Sequence, residues 1–293
     1  MRSFIFGTDW WTDCDDAVAL RLVTRHVKAG KIRLAGVAIN ACMEYSVASL
    51  KGFLRADGVD GIPVGIDLDA TDYGGKPPYQ KRLAEDFCPQ GSNADAMDAV
   101  RLYRSVLAQT SEPVEIIEIG FLQVIAAVLE SGADDISPKT GIELFKEKVK
   151  KVWVMAGKWD EDGGKEHNFC RKPRACKAAH TFCALCPVPV TFLGWEIAHT
   201  VLTGGTLDHS DHLYRALQDF GTPNGRGSWD PMLVMMALIG DEAQAGYRKI
   251  TGKASVEADT GANHFAAAPD GLHAYVVKEK PNDYYKDQIN ALL

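Results

Sequence analysis

The 293-residue chain lacks a basic excess: Lys and Arg number 32 against 39 Asp and Glu, for a formal charge of −7. No Lys/Arg-rich run stands out, so a surface built to neutralise phosphates is excluded and nucleic acid is not an expected partner. Apolar stretches approaching the ~20 residues that cross a bilayer are missing, and so is the basic, apolar, then small-residue order of a secretory signal. The expectation is a cytoplasmic protein with no membrane partner. The seven cysteines are an odd number spread along the chain, which fits reduced thiols rather than a disulfide framework. Cys170, Cys176, Cys183 and Cys186 lie close together, yet only the last two have CxxC spacing, and ACKAAHTFCALC reads as helix. Free thiols are therefore preferred over a structural zinc site. Internal repeats, low-complexity tracts and a linker strong enough to split the chain are also missing, so residues 1–293 are read as a single domain.

What is present is an ordinary globular balance, 46% hydrophobic and 24% charged, sufficient for a sizeable core. Apolar, β-rich runs alternate with helix-period runs: FIFGTD then DAVALRLVTRHVKAG, IRLAGVAIN then YSVASLKGFLRADG, IPVGID, VEIIEIG then LQVIAAVLESG, VKKVWVMAG, and VPVTFLGW. This rhythm implies an open α/β architecture with a mostly parallel central sheet flanked by helices, and ligands at the carboxyl ends of the strands. Three stretches rich in Gly, Pro and polar residues, 72–96, 157–168 and 219–229, read as loops.

Polar residues collect just after the expected strands. Asp9, Asp13, Asp15 and Asp16 follow the first, Asn40 follows the second, Glu166 and Asn168 lie beyond VKKVWVMAG, and Asp230 precedes a later apolar run. An Asp-rich strand-to-helix turn can simply cap its helix, which accounts for one or two of the aspartates. Four crowded carboxylates raise one another's pKa values unless a cation offsets them, and hard oxygen donors select Ca²⁺ or Mg²⁺.

These residues resemble the inosine-uridine-preferring nucleoside hydrolase family. TDWWTDCDDAVAL is similar to the longer form of that family's signature, DTDxGxDxDDAxAL. GVAIN resembles VxGN, VEIIEIGFLQVIAAVL resembles TLVALGPLTNIALAL, VKKVWVMAG resembles the strand ending in VVMGG, EHN resembles EFN and SWDP resembles HDP, all in the same order. The resemblance implies a nucleoside hydrolase-like fold and a calcium-dependent hydrolase acting on the N-glycosidic bond of a ribonucleoside or related ribosyl compound. It implies that Asp9, Asp16, Asp230 and the main-chain carbonyl of Ile119 ligate Ca²⁺, and that Asp15 is the general base. It further implies that Asn40, Glu166 and Asn168 hold the ribose, and that the protein is a homodimer or homotetramer with a small-molecule nucleoside or sugar as substrate.

The chain departs from the pattern in places. Trp229 stands where the family has the His of HDP, GPLTN has become GFLQV, and Trp10 and Trp11 replace the small residues of the signature turn. Asp13, which the shorter signature lacks, is a rival for the ligand or base role or else a carboxylate of the surrounding loop. Trp229 is favoured as a pocket residue beside Asp230, and Trp11 is a further candidate, with rim or core packing as the alternative for each tryptophan. DHSDH at 208–212 reads as a solvated helix start capped by Asp208 or Ser210 rather than a metal site. His167 reads as a packing variant, and His264 as a late-chain pocket candidate. Two other functions stay open: a nucleoside- or sugar-binding relative with weak or no hydrolysis, and a glycoside-active enzyme for a non-nucleoside sugar.

Overall fold

A computed structural model of the chain describes residues 1–11, 13–73 and 78–293; Thr12 of the acidic turn and residues 74–77 of the expected 72–96 loop lie outside the described residues. In chain order the elements are β1 (Arg2–Thr8), α1 (Asp15–Lys28), β2 (Ile32–Ile39), α2 (Ser46–Ala56), β3 (Val64–Ile66), α3 (Gln80–Phe87), β4 (Met97–Asp98), α4 (Ala99–Gln109), β5 (Val114–Glu118) and α5 (Gln123–Glu130). They continue with α6 (Gly141–Lys148), β6 (Val149–Met155), α7 (His167–Cys170), α8 (Pro173–Leu185), β7 (Val190–Leu193), α9 (Trp195–Ala198), β8 (Leu202–Thr203) and α10 (His212–Phe220). The last are β9 (Arg226–Gly227), α11 (Trp229–Ile239), β10 (Tyr247–Val256), β11 (Asn263–Ala267), β12 (His273–Lys278) and α12 (Asn282–Asn290).

Ten strands form one sheet in the order β11-β10-β12-β7-β6-β5-β1-β2-β3-β4, parallel from β12 through β4, with β10 antiparallel to both of its neighbours. The mostly parallel, helix-covered sheet expected from the alternating runs is what forms. Alternation along β1 shows why: Phe4 and Phe6 enter the core built with α1, α2 and α11, whereas Ile5 enters the opposite core with α4, α5 and α8. Strands buried on both faces are therefore mainly apolar.

The antiparallel edge is absent from the sequence reading. β10 alternates buried with exposed residues, and its neighbours are short, so it carries the weaker signature of a half-solvated strand. The expected 72–96 loop also contains α3, which packs on α2 through Leu83 and Ala84 despite having few apolar residues.

Register places the site. Thr8 pairs with Ile39 across β1 and β2, Gly7 pairs with Glu118 across β1 and β5, and Met155 pairs with Leu193 across β6 and β7. Asp9, Asn40, Ile119 and Gly194 therefore leave the sheet along one edge. The chain runs from β1 to β2 on one side and returns through β5 on the other, so β1 and β5 flank a switch point, where an open α/β sheet leaves a crevice.

Helix α1 is held by a buried charge network. The Arg21 guanidinium, 1% exposed, meets Asp57 at 2.8 Å and Asp211 at 2.8 Å, and Asp211 also caps α10 by accepting from Leu213 N. The cap in DHSDH is thus Asp211 rather than Asp208 or Ser210, because Asp208 bonds Ser210 within its own turn. Removing one partner of a buried pair strands the other, at a cost of about 3–5 kcal/mol. Arg21→Ala is expected to lower unfolding free energy by that amount in urea titrations; a loss below about 1 kcal/mol contradicts the assignment.

Candidate functional site

The acidic turn after β1 is shaped by an unusual backbone. Trp10 has φ +52°, a left-handed conformation that costs a non-glycine residue about 1–2 kcal/mol. Its indole is fully buried, lies edge-on to Phe53 and Tyr79, and donates from Nε1 to Ser49 Oγ at 2.8 Å. Burying a tryptophan, roughly 150–250 Å² at about 25 cal/mol per Å², is worth about 4–6 kcal/mol and outweighs that strain. The turn directs Trp10 N to Thr8 Oγ1 (2.9 Å) and Asp16 Oδ1 (3.2 Å), and Trp11 N to Asp9 Oδ1 (3.0 Å). Thr8 Oγ1 also donates to Asp16. These backbone bonds fix both carboxylates at the strand end.

Asp15 and Asp16 occupy the first turn of α1, and Asp230 the first turn of α11, the helix packed against it. Asp230 N donates to Asp15 Oδ2 at 3.1 Å. The three are 2–5% exposed, and each offers a carboxylate oxygen within 4.8 Å of the others. Burial, followed by repulsion from Asp13, raises the Asp15 pKa well above the usual range. Asp16 rises through burial and the charges of Asp9 and Asp15; Asp230 rises through burial and the charges of Asp15 and Asp16. Two helix N-termini contribute only about 0.3–1 kcal/mol each, too little to offset three buried charges. A divalent cation would offset them, and the all-oxygen donor set suits a hard ion.

The carboxylates line a cleft of about 320 Å³ together with Asp9, Asp13, Ile119, Met155, Glu166, His167, Asn168, Trp195, Arg226 and Trp229. Asp13 differs from its neighbours, because its carboxylate is clasped by Arg226 at 2.5–3.1 Å. Glu166 caps α7, accepting from Asn168 N and Gly157 N at 2.9 Å each, and burial pushes its pKa up to about 7. Asn168 Nδ2 donates to the carbonyls of Met155 (2.9 Å) and Ile119 (3.3 Å), which ties β5 to β6 beside the aspartates.

Other candidates sit elsewhere. Asn40 is fully buried behind the cleft, its Nδ2 donating to Glu118 Oε1 at 2.8 Å and its Oδ1 accepting from Phe121 N at 2.9 Å. Glu118, pushed up to about 8 by burial, needs the space that Gly7 leaves: a Cβ there would lie 2.1 Å from its Oε2. Gly120 is equally constrained, since its Cβ would meet Asp9 N at 2.4 Å. Trp11 packs with Tyr73 and Phe121, Trp159 is in the core, and His264 pairs with Asp162 and Glu257 on the surface.

The sequence reading did not pick out Arg226, Trp195 or Met155 as cleft residues. Trp195 follows VPVTFLG directly, a position that could have signalled it; Arg226 meets Asp13 from 213 residues away and left no local mark. All seven cysteines are unpaired thiols. Among the described residues, no helix is long and apolar enough to cross a membrane.

Comparison with solved structures places this geometry in a known fold. The chain superposes on an inosine-uridine preferring nucleoside hydrolase from Bacillus anthracis with TM-score 0.70 and 16% identity, covering 100% of this chain and 99% of that one. The fold is nucleoside hydrolase-like. Two effector proteins share it: XopQ, solved with adenosine diphosphate ribose (TM-score 0.70, 15% identity, 99% and 93% covered), and XOO4466 (0.69, 13%, 99% and 92%). No protein-family model and no curated protein sequence matches the chain.

The carboxyl groups hold protons in the folded chain at pH values where the unfolded chain has released them. Their stabilisation is therefore full below about pH 4 and is lost as pH rises through 7–8, the values of Glu166 and Glu118. The metal-free protein should lose stability from pH 5 to pH 8. A fixed divalent-cation concentration, about 100 times its Kd at pH 8, should raise Tm by roughly 5–10 °C at pH 8 and by less at pH 5, where protons compete for the carboxylates. A cation effect that is absent, or larger at pH 5, contradicts this electrostatic account.

Proposed function

We propose that the protein is a calcium-dependent N-glycosyl hydrolase that cleaves ribonucleosides or related ribosyl compounds. The observation that carries the reading is the buried convergence of Asp15, Asp16 and Asp230 at the β1/β5 switch point. Asp9, Asp16, Asp230 and the Ile119 carbonyl would hold Ca²⁺, all of them lining the one cleft. When bound, the ion supplies a Lewis acid for water and for two vicinal sugar hydroxyls. Beside such a charge the raised pKa of Asp15 would fall, and its carboxylate would be ionised and ready to accept a proton.

Asp15 is then the general base. A water oxygen bonds C1′ as the C1′–N bond breaks, Asp15 receives a water proton, and the departing nitrogen takes a proton from solvent. Glu166 and Asn168 are fixed by backbone bonds at the same wall and present rigid polar groups to the sugar. Asn40 acts from behind, bracing the loop that carries Ile119. Asp13, committed to Arg226, is a wall carboxylate instead of the base. Trp229 offers the leaving group an aromatic face. The printed names of two structural neighbours, a nucleoside hydrolase and an effector holding adenosine diphosphate ribose, agree with a ribosyl ligand. The same reading makes the protein a single-domain cytoplasmic homo-oligomer, a dimer or tetramer.

A second reading, ribosyl binding without efficient turnover, is favoured by Trp229 standing beside Asp230 in place of an imidazole. Reducing-sugar release from a nucleoside panel with calcium separates the two. Hydrolysis is expected, with Asp15→Asn slowing kcat/KM by about 10²–10⁴ while calcium still binds through the other ligands, though more weakly for want of the Asp15 charge. Ribose binding with no nucleoside cleaved would leave only the second reading.

A further inference from the structure

Among the groups assigned to the cation, the Ile119 carbonyl alone belongs to the main chain, so no side-chain torsion can aim it. Its direction is that of the Ile119–Gly120 peptide plane. Because that plane is rigid and trans, the carbonyl points one way and the Gly120 N–H the other. Whatever holds Gly120 N therefore sets the angle at which the carbonyl meets the cleft. Gly120 N donates to Glu118 Oε1 at 3.4 Å. The same oxygen accepts from Asn40 Nδ2 at 2.8 Å, and Asn40 Oδ1 accepts from the next amide, Phe121 N, at 2.9 Å. Two consecutive amides behind the cleft are thus held by one joined pair of side chains.

We propose that Glu118 is a positioning residue for the cation site, acting through the Ile119–Gly120 peptide. The inference rests on the reading of the Ile119 carbonyl as a calcium ligand. Glu118 is fully buried and does not line the cleft, so it acts from behind. Its carboxyl lies against Gly7, its partner on β1, where a Cβ would stand 2.1 Å from Oε2. Oε2 accepts from Tyr103 OH at 3.3 Å, which anchors the carboxyl to α4, on the face of the sheet opposite α1 and α11. Burying a carboxyl is costly, and an apolar side chain would fill the same space at less cost. What an apolar side chain lacks is an acceptor for Gly120 N and Asn40 Nδ2. From the front, Asn168 Nδ2 donates to the Ile119 carbonyl at 3.3 Å, which occupies one lone pair and leaves the other for a cation. The ligand peptide is gripped at both ends, and outer partners of this kind are worth about 10–100-fold in metal affinity.

The test is calorimetric titration of calcium into the full chain, with a thermal melt of each cation-free variant to show that it is folded. Glu118→Gln keeps a carbonyl oxygen for Asn40 Nδ2 and Gly120 N and turns its amide to the Tyr103 oxygen, so its calcium Kd should stay within about threefold of the unaltered chain. Glu118→Met, similar in length but without an equivalent acceptor, should weaken calcium by about tenfold or more. Glu118→Ala, whose vacated space admits water to the stranded donors, should do the same and replaces the Met variant if that one does not fold. Unaltered calcium affinity in a folded Met or Ala variant overturns the role of Glu118, even where the melting temperature drops. So does an equal loss in Glu118→Gln, which would make charge the carrier instead of hydrogen bonding. If the unaltered chain binds no calcium, the cation reading itself fails, and the assignment of Glu118 falls with it.

Discussion

Three carboxylates buried within 4.8 Å of one another dominate the electrostatics of this molecule. Burial and mutual repulsion both penalise their ionised forms and raise their pKa values well above the usual carboxylate range. The fold nevertheless holds them together with some care. Two helices begin at the same point, the Thr8 hydroxyl and the Trp10 amide orient Asp16, and an amide of α11 reaches back to Asp15. Such construction is costly unless a positive charge completes it, and the nearby guanidinium of Arg226 is committed to Asp13.

The turn that delivers Asp9 shows how packing sustains a strained site. A small residue would take the left-handed position at Trp10 without penalty. Here a fully buried indole occupies it, wedged between α2 and α3 through Phe53, Ser49 and Tyr79, while Gln80 Nε2 holds the Trp10 carbonyl at 2.7 Å. Backbone strain is thereby offset by burial, and the acidic turn is fixed by the hydrophobic core beneath it. Trp11, by contrast, packs with Tyr73 and Phe121 beside the site and is not among the cleft-lining residues.

Much of this architecture was legible in the chain because parallel strands covered on both faces read as unbroken apolar runs, and the helices between them keep their own period. The acidic turn was equally visible, since Asp9 to Asp16 are neighbours in sequence. The half-exposed β10 and the polar α3 carry weak periodic signals and form only against their partners. Long-range pairing was invisible for the same reason: nothing near Arg226 announces Asp13, and nothing near Asn40 announces that Glu118 will claim its amide.

The central claim is that the aspartate cluster is completed by a cation, and the most direct measurement is diffraction from crystals grown with calcium. The account predicts one ion coordinated by oxygens of Asp16 and Asp230, with Asp9 and the Ile119 carbonyl within the ~2.3–2.6 Å range typical of calcium. A cleft without an ion at saturating calcium, or an ion bound away from these carboxylates, would contradict it.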